Sequence, residues 1–330
     1  MEIRLKETLS TAIREKQIKQ KDASKIIVDT TVQEKAIAHP TDARLYLKSI
    51  HRLIKLARQR NIELRQSYVR ISKKAFFSQS QYARAGQYKR AAKQTKKLKT
   101  YLGRMIRDIT RKAANPDQEL ALMLERTLRI YSQKRDDGNK LYSLDAPEVE
   151  CIGKGKAHKR YEFGCKVSFS TTHKNNWITS AAALHGNPYD GHTLAATIAR
   201  SESNTQVAAK EVYVDRGYRG HDYAGQASIF KQDGKFKQLT RAIKKKLKRR
   251  SAIEPTIGHV KSDNRMDRNY LKGVAGDMIN AILAAAGYNM RKLLSAYLYA
   301  LLEMGMVLQN LLRELAKYLR QAIFTCPNLL

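Results

Sequence analysis

One basic stretch, Lys210–Lys261, constrains the chain more than any other because it carries two acids in fixed settings. The apolar run Val212–Val214 is typical of a short buried strand, and it ends on Asp215. A dense run of lysine and arginine over 244–250 then leads to Glu254. Two carboxylates surrounded by so many cations indicate metal-dependent chemistry on a polyanion.

The overall charge points to the same kind of partner. The 330 residues include 63 Lys plus Arg against 30 Asp plus Glu, a formal net charge of +33. A chain this basic needs a polyanionic partner, and nucleic acid is favoured over a membrane surface or a ribosomal-type scaffold role. The hydrophobic content of 42% argues against a disordered chain.

Three cysteines, Cys151, Cys165 and Cys326, show no spacing typical of a zinc site. Their pattern fits a reducing cytosol, and the charged amphipathic N-terminus does not resemble a signal peptide. The longest uncharged runs in the apolar C-terminal region are 278–290 and 293–302. Both are shorter than the ~20 residues that a membrane span needs, so we expect no span.

A second apolar run that ends on an acid occurs early in the chain. Ile26–Val28 is short and β-branched, and it is followed by Asp29. A strand can hold such a carboxylate at the edge of a sheet, but a strand-end aspartate more often only caps a turn. The local pattern by itself favours the capping role for Asp29.

The segment from 43 to 135 has the periodicity of several amphipathic helices. Its exposed positions between Arg65 and Lys112 are mostly basic, with few acids and several tyrosines. A solvated coiled-coil face usually mixes both signs of charge, so the one-sided sign favours a phosphate-binding surface.

The remaining chain alternates strands and helices. The glycine-rich loop at 153–158 matches a phosphate-binding loop only weakly, because it lacks the Walker pattern. Towards the C-terminus, Gly287 and Asn289 are expected to interrupt an apolar helix. The predicted elements are strands at 163–169, 177–184, 207–215 and 227–230, a helix at 193–200, and a largely helical stretch over 236–264.

Pro255 leaves two readings of the segment around Glu254 open. Either Glu254 stands at a helix start with Pro255 in the first turn, or one kinked helix runs through both residues. Ser251 and Glu254 also have the spacing of a capping box, which would make Glu254 purely structural. A continuous helix would place the following residues on one face: Leu247, Arg250, Glu254, Gly258 and Lys261.

Several motifs together resemble the ribonuclease-H-like core of DDE transposases, and specifically the bacterial insertion-sequence transposases of family five. The resemblance covers about 24 to 294. It rests on Val28–Val32, His39–Asp42, Tyr142–Glu148, Gly153–Lys156, Gly186–Leu194, Val212–Gly220, Arg250–Pro255 and Gly258–Asp263.

This resemblance implies an α/β fold: a mixed sheet flanked by helices, with a large all-helical insertion after the first catalytic strand. It makes Asp29, Asp215 and Glu254 the catalytic acids, and it reverses the local preference for a capping role at Asp29. The divisions it implies are 1–41 for the leader helix and first catalytic strand, 42–140 for the basic insertion, 141–295 for the rest of the core, and 296–330 for a C-terminal helix and tail.

The same three acids are the expected metal ligands. All-oxygen sites favour Mg²⁺ or Mn²⁺, and two such ions serve phosphodiester cleavage and strand transfer by in-line displacement. Related families also carry a tyrosine in the signature of the third helix. The matching position here is Leu247, which departs from that signature.

The expected DNA contacts lie beside the acids. Arg250 and Lys261 match the basic positions of the family signature and are expected to hold the DNA backbone. Arg216 and Arg219, in the turn after Asp215, are equally consistent with a DNA contact and with a solvated surface. His259 is expected to face DNA or to pack, since hard metal ions prefer oxygen ligands.

The partners implied are double-stranded DNA at insertion-sequence ends and targets, and a second copy of the chain on that DNA, in the bacterial cytoplasm at the nucleoid. Family members usually carry a helical region that recognises DNA ends before the first catalytic strand, and here only about 25 residues precede it. Two further hypotheses stay open: an inactive DNA-binding remnant of a transposase, and a structure-selective nuclease of the same fold.

Overall fold

The computed structural model describes residues 2–153, 160–231 and 240–325. Most of the glycine-rich loop predicted at 153–158, and the part of the predicted helical stretch at 236–239, lie outside the described residues. The described helices are α1 Glu2–Arg14, α2 Gln20–Ala23, α3 Asp42–Gln59, α4 Val69–Arg84, α5 Tyr88–Lys112, α6 Gln118–Ser132, α7 Asp190–Thr205, α8 Arg241–Arg249, α9 Ile253–Asp263 and α10 Gly273–Thr325. The strands are β1 Lys25–Glu34, β2 Glu150–Gly153, β3 Tyr161–Thr172, β4 Ile178–Leu184, β5 Glu211–Val214 and β6 Ser228–Lys231.

The six strands form one mixed sheet. Its order is β2-β3-β1-β5-β6, and β4 pairs with β3 beside this path. β3 runs antiparallel to β1, β2 and β4, whereas β5 is parallel to both β1 and β6. A mixed sheet with helices packed on it fits the ribonuclease-H-like architecture that the motifs imply.

The parallel pairing of β1 and β5 brings Asp29 close to the carboxyl end of β5. Ile27 is aligned with Tyr213 in this pairing. Asp29 and Asp215 each stand two residues further along, so the two acids lie at the same level on neighbouring segments. Asp215 directly follows β5, as expected, but the expectation that the first strand ends at Asp29 is wrong, because β1 continues to Glu34 and stays paired with β3.

The two faces of the sheet are covered by different helices. Ile27 and Tyr213 lie in a core formed with α1, α8, α9 and the first part of α10. Ile26 and Val212 point to the other face and pack against Leu194 of α7. Asp29 and Asp215 follow the alternation of Ile27 and Tyr213, so they face the side that α8 and α9 cover.

Helices α3 to α6 follow β1 and pack around a separate apolar core. Capping residues define where two of them begin. Thr41 accepts a hydrogen bond from the Arg44 amide at 3.3 Å, and Asp117 accepts one from the Leu120 amide at 3.2 Å. Asn115-Pro116-Asp117, a sequence typical of a helix start, therefore leads directly into α6.

The expectation that Gly287 and Asn289 interrupt the last helix is wrong, because α10 continues from Gly273 to Thr325. Asn289 is buried, and its side chain bonds both backbone groups of Ile178, at 3.0 Å from the nitrogen and 2.8 Å from the oxygen. A Cβ at Gly287 would stand 2.8 Å from Asn264 Oδ1, so glycine permits close packing there. Both residues thus serve tertiary contacts within an unbroken helix.

The length and apolar content of α10 raise the question of a membrane span. None of the helices in the described ranges combines the length and the apolarity needed to cross a bilayer.

Candidate active site

Arg250 lies between two of the acids singled out in the sequence. Its guanidinium is 3.7 Å from Asp29 Oδ2 and 3.5 Å from Glu254 Oε1. The side chains of Asp29 and Arg250 are only 16% and 14% exposed, whereas that of Glu254 is 63% exposed. The structure therefore places a nearly buried arginine between one sheltered carboxylate and one open to solvent.

Asp215 stands at the end of β5, directly before a short 3₁₀ turn, Arg216–Tyr218. Its carboxylate accepts a hydrogen bond of 2.8 Å from the Gly217 amide, so it caps that turn. The Tyr218 side chain is fully buried beneath. Burial, followed by the negative charges of Asp29, Asp190 and Asp215, raises the pKa of Tyr218 well above its ordinary value.

The chain is helical on both sides of Pro255, with a short 3₁₀ turn at Arg250–Ala252 between α8 and α9. Pro255 lies in the first turn of α9, where a missing amide hydrogen leaves no bond unmade. The predicted capping box is absent, because the Ser251 hydroxyl donates to the Lys248 carbonyl at 2.9 Å instead. Both sequence readings were partly right: α9 starts near Glu254, and the chain stays helical through Arg250.

Glu211 of β5 fixes α8 to the sheet. Its carboxylate binds the ammonium of Lys25 at 2.9 Å and that of Lys246 at 2.8 Å, and it accepts the hydroxyl of Tyr213. Burial alone would raise the pKa of Glu211, but Lys246, Tyr213 and Lys25 outweigh it and lower the pKa to about 2. The charged form of Glu211 therefore links β1, β5 and the helix that leads to Arg250.

The loop between β3 and β4 also contacts the end of α8 and the 3₁₀ turn Arg250–Ala252 that follows it. Asn176 donates to the Ala252 carbonyl at 3.3 Å, and Arg249 donates to the Lys174 carbonyl at 2.8 Å. His173 lies 2.9 Å from the Lys246 carbonyl oxygen through its Nε2. These contacts set the direction in which Arg250 and Glu254 leave the helix.

A fourth carboxylate, Asp190 at the start of α7, borders the same site. Its Oδ1 accepts from the Thr30 hydroxyl at 3.0 Å and from the Lys166 ammonium at 3.0 Å. Lys166 is also fixed by the Pro188 carbonyl at 2.6 Å. Thr30 follows Asp29 in β1 but points to the opposite face of the strand, so these bonds hold Asp190 on the α7 side of the strand that carries the first acid.

Gly217 separates Asp190 from Asp215. A Cβ at this position would stand 3.0 Å from Asp215 Oδ1 and 3.1 Å from Asp190 Oδ2. The space between the two carboxylates is thus left open by the glycine. Gly186–Leu194 was recognised in the sequence as a family motif, but no role was assigned to Asp190, and the acid within that motif was the signal that the sequence reading missed.

The remaining DNA-binding candidates lie on two elements, the turn after Asp215 and helix α9. Arg216 and Arg219 are exposed in the turn after Asp215. Lys261 stands seven residues after Glu254, which places the two residues within about 20° of each other around the helix axis. His259 lies about 140° away from Glu254 on that helix and contacts Asp263 at 3.0 Å, so it borders α10 and not the acids.

The donors at the site suit a hard divalent cation. The four acids Asp29, Asp190, Asp215 and Glu254 offer only carboxylate oxygens, which are the ligands that Mg²⁺ and Mn²⁺ prefer. Their negative charge is offset in the structure by Arg250 and Lys166. The donor chemistry therefore suits the metal that the motifs imply, but among the described residues no three of these acids bring their ligand atoms within 4.8 Å of one another.

Another group with ligand-like spacing, Cys165, His185 and Asp277, lies on the same sheet away from these acids. Asp277 Oδ1 already binds the Lys35 ammonium at 2.8 Å, and Lys35 also binds Glu148 at 2.7 Å. Burial raises the pKa of the Cys165 thiol to about 12, so it is protonated at neutral pH. The group of Cys165, His185 and Asp277 therefore fits a buried ion pair with Lys35 better than a metal centre.

Comparison with known proteins covers the part of the chain that holds two of the acids. Residues 209–294 match a family model described as a transposase DDE domain, and this match includes Asp215 and Glu254. Over 84 residues the chain is 45% identical to the uncharacterized protein ORF8 in the nfe locus of Rhizobium meliloti.

That alignment spans 26% of this chain and 41% of the relative, so the chain covers less than half of the relative's length. No solved structure matches the chain. The family match, together with an α/β sheet that carries acids at its edge, supports a DDE transposase, a class of DNA-cleaving and DNA-joining enzymes.

Proposed function

We propose that the chain is a metal-dependent DNA transposase core of insertion-sequence family five, which cleaves phosphodiesters and transfers strands at insertion-sequence ends. Asp29, Asp215 and Glu254 are its catalytic acids. The observation that carries the proposal is the position of Arg250, within 4 Å of both Asp29 and Glu254, while Asp215 directly follows β5, the parallel neighbour of the strand that carries Asp29.

The acids would hold two Mg²⁺ or Mn²⁺ ions, which when bound supply Lewis-acid stabilisation of an in-line displacement at phosphorus. The chain's own residues prepare that site. Arg250 offsets the repulsion between Asp29 and Glu254 and keeps further N–H groups for a phosphate oxygen. The hydrogen bond from the Gly217 amide fixes the carboxylate of Asp215, the second catalytic acid, against rotation.

Backbone contacts to DNA are assigned to Arg250 and Lys261 beside the acids, to Arg216 and Arg219 on the adjacent turn, and to His259 at the edge of this surface. The four-helix segment adds a basic face, because the one acid of α5, Asp108, is buried. The exposed cations of α5 include Lys89, Arg90, Lys93, Lys96, Lys97, Arg104 and Arg107.

The experiment compares the purified chain with its Asp215→Asn variant on supercoiled plasmid and on duplexes from insertion-sequence ends. We expect nicking by the parent chain in Mg²⁺ or Mn²⁺, none in EDTA, and at least a hundred-fold loss in Asp215→Asn. Duplex binding, measured by fluorescence anisotropy, stays within about two-fold and weakens steeply with salt. Asp136→Asn, an exposed acid after α6, is the matched control and retains activity.

Nicking by Asp215→Asn at the parent rate would rule out the catalytic assignment. Salt-sensitive binding without nicking by the parent chain would instead favour the inactive DNA-binding remnant. Cleavage of branched DNA without joining of ends would favour a nuclease of the same fold. Two copies acting together on DNA in the bacterial cytoplasm complete the proposal, since both ends of a mobile element must be cut.

A further inference from the structure

The second half of α10 carries apolar side chains on an unpartnered surface. From Leu294 to Leu315 the large apolar residues of this helix are exposed, in contrast to its first turns, which pack on the sheet. Monomeric soluble proteins rarely leave an apolar patch larger than a few hundred Å² uncovered. This surface therefore requires a partner.

The spacing of these residues indicates which kind of partner. Seven apolar residues recur at alternating intervals of three and four over three heptads, which is the seam of a left-handed coiled coil. They are between 47% and 61% exposed. This leucine seam consists of Leu294, Tyr297, Leu301, Met304, Leu308, Leu311 and Leu315.

We propose that the leucine seam of α10 pairs with the same seam of a second copy of this chain, which makes α10 the dimerisation element. The seam is free of charge, and the leucines repeat every seven residues at one of its two positions, so two identical helices are complementary to each other. The inference deepens the pairing of two copies in the proposed function, on which it rests for its purpose.

The size of the surface is sufficient for a dimer. Apolar residues beside the seam, Leu298, Val307 and Leu312, widen it. Together these side chains expose on the order of 1,000 Å² per chain, against the ~800 Å² per partner of a stable interface. Leu294 and Tyr297 also line an apolar groove between α1 and α10, so the surface continues onto the body of the protein.

The charge of the helix favours a second copy over a lipid surface. Between 296 and 317 it carries two acids and two bases, and one pair, Glu314 and Lys317, lies at 2.7 Å. Amphipathic helices that bind anionic membranes are rich in lysine and arginine on the polar face. The whole chain carries a net charge of +33, so two copies repel each other. Contact through a neutral helix keeps the basic surfaces of the two copies away from the interface and so reduces this repulsion.

The test is the solution mass of the full chain by light scattering, without DNA or metal. We expect twice the chain mass for the parent, and a loss to the single-chain mass on Leu308→Glu, which places a charge in the seam. The matched control is Met306→Glu, equally exposed but about 160–200° away from the seam, which stays dimeric. Circular dichroism confirms that each variant is folded.

A monomeric parent, or a dimer that Leu308→Glu leaves intact, would overturn the inference. The inference would also be overturned if the monomeric parent floats with vesicles of neutral or anionic lipid and the Leu308→Glu variant does not. In that case lipid, and not a second copy of the chain, would cover the leucine seam. Neither light scattering nor vesicle flotation measures DNA cleavage, so a negative result in them does not affect the catalytic proposal. Conversely, a chain that does not cleave DNA but forms a dimer sensitive to Leu308→Glu would still support the dimer.

Discussion

The guanidinium of Arg250 lies 3.7 Å from the carboxylate of Asp29, although the two residues come from opposite ends of the catalytic sequence. The same guanidinium reaches Glu254 at 3.5 Å. One cation thus couples a strand-borne acid to a helix-borne acid. Removing the Arg250 guanidinium therefore changes both the net charge at the site and the number of N–H donors available to a phosphate group.

Arg250→Ala is expected to lower the rate of DNA nicking by about 10- to 100-fold, because it removes a charge-assisted contact and leaves Asp29 and Glu254 to repel each other. Arg250→Lys should recover part of the rate, since the charge returns without the planar fork. Initial nicking rates across a Mg²⁺ series measure this. Arg241→Ala, an exposed arginine at the start of α8, should remain at the parent rate, and an equal loss in it would contradict a specific role.

Asp190→Asn tests the fourth carboxylate. We expect a loss of nicking of at least ten-fold and a rise in the Mg²⁺ concentration needed for half-maximal rate, because one anionic donor beside Asp215 is removed. A role limited to packing with Lys166 would lower stability without shifting the metal dependence. A metal titration that coincides with that of Asp136→Asn would refute the assignment.

The carboxylate of Glu211 makes stability depend on acid pH. Its pKa is lowered in the folded chain to about 2 from an ordinary 4.5, so its stabilising effect is complete above pH 4.5 and is lost as pH falls towards 2. Glu211→Gln should reduce the free energy of unfolding by about 1–3 kcal/mol at pH 7, and the gap should narrow between pH 5 and 3. Urea unfolding at each pH measures it, and a gap that is constant with pH would contradict the ion-pair account.

Lys35 is a buried cation shared by Glu148 and Asp277. Burial alone would lower the pKa of Lys35, but these two carboxylates outweigh it and raise the pKa. Lys35→Met leaves two sheltered carboxylates without their cation and is expected to cost about 3–5 kcal/mol of unfolding free energy.

The matched control for Lys35 is Lys48→Met, which breaks a half-exposed pair with Asp145 at 2.6 Å and should cost about 1 kcal/mol or less. Chemical denaturation of both variants gives the comparison. A second variant, Lys35→Met with Asp277→Asn, should recover part of the loss. Equal costs at Lys35 and Lys48 would contradict the role of burial.

Local patterns predicted the strands near Asp29 and Asp215, since short β-branched or aromatic runs depend on neighbouring residues alone. The predicted end at Asp29 was wrong, because pairing with β3, a distant segment, extends β1 to Glu34. Their alignment in parallel was not visible in the sequence, because strand pairing joins distant segments. The same limit explains Asp190. Its partners Thr30 and Lys166 stand far from it in sequence, so only the folded sheet shows that the turn motif borders the acids.

The error in α10 has a related cause. Gly287 and Asn289 weaken a helix when they are considered alone. In the fold, Asn289 binds the backbone of Ile178 and Gly287 admits Asn264, so tertiary contacts override propensity. Pro255 left two readings open for the opposite reason: a proline in a first turn is compatible with both, and the contacts of Asn176 and Arg249 decide the path of the chain.

Helices α3 to α6 close around apolar residues of their own, apart from the cores on the two faces of the sheet. Substitutions in separate cores change stability almost independently. Substitutions on the basic face of α5 can therefore leave the geometry of Asp29, Asp215 and Glu254 intact. Under the proposed function, this separation would allow the contacts with DNA to change without loss of the chemistry.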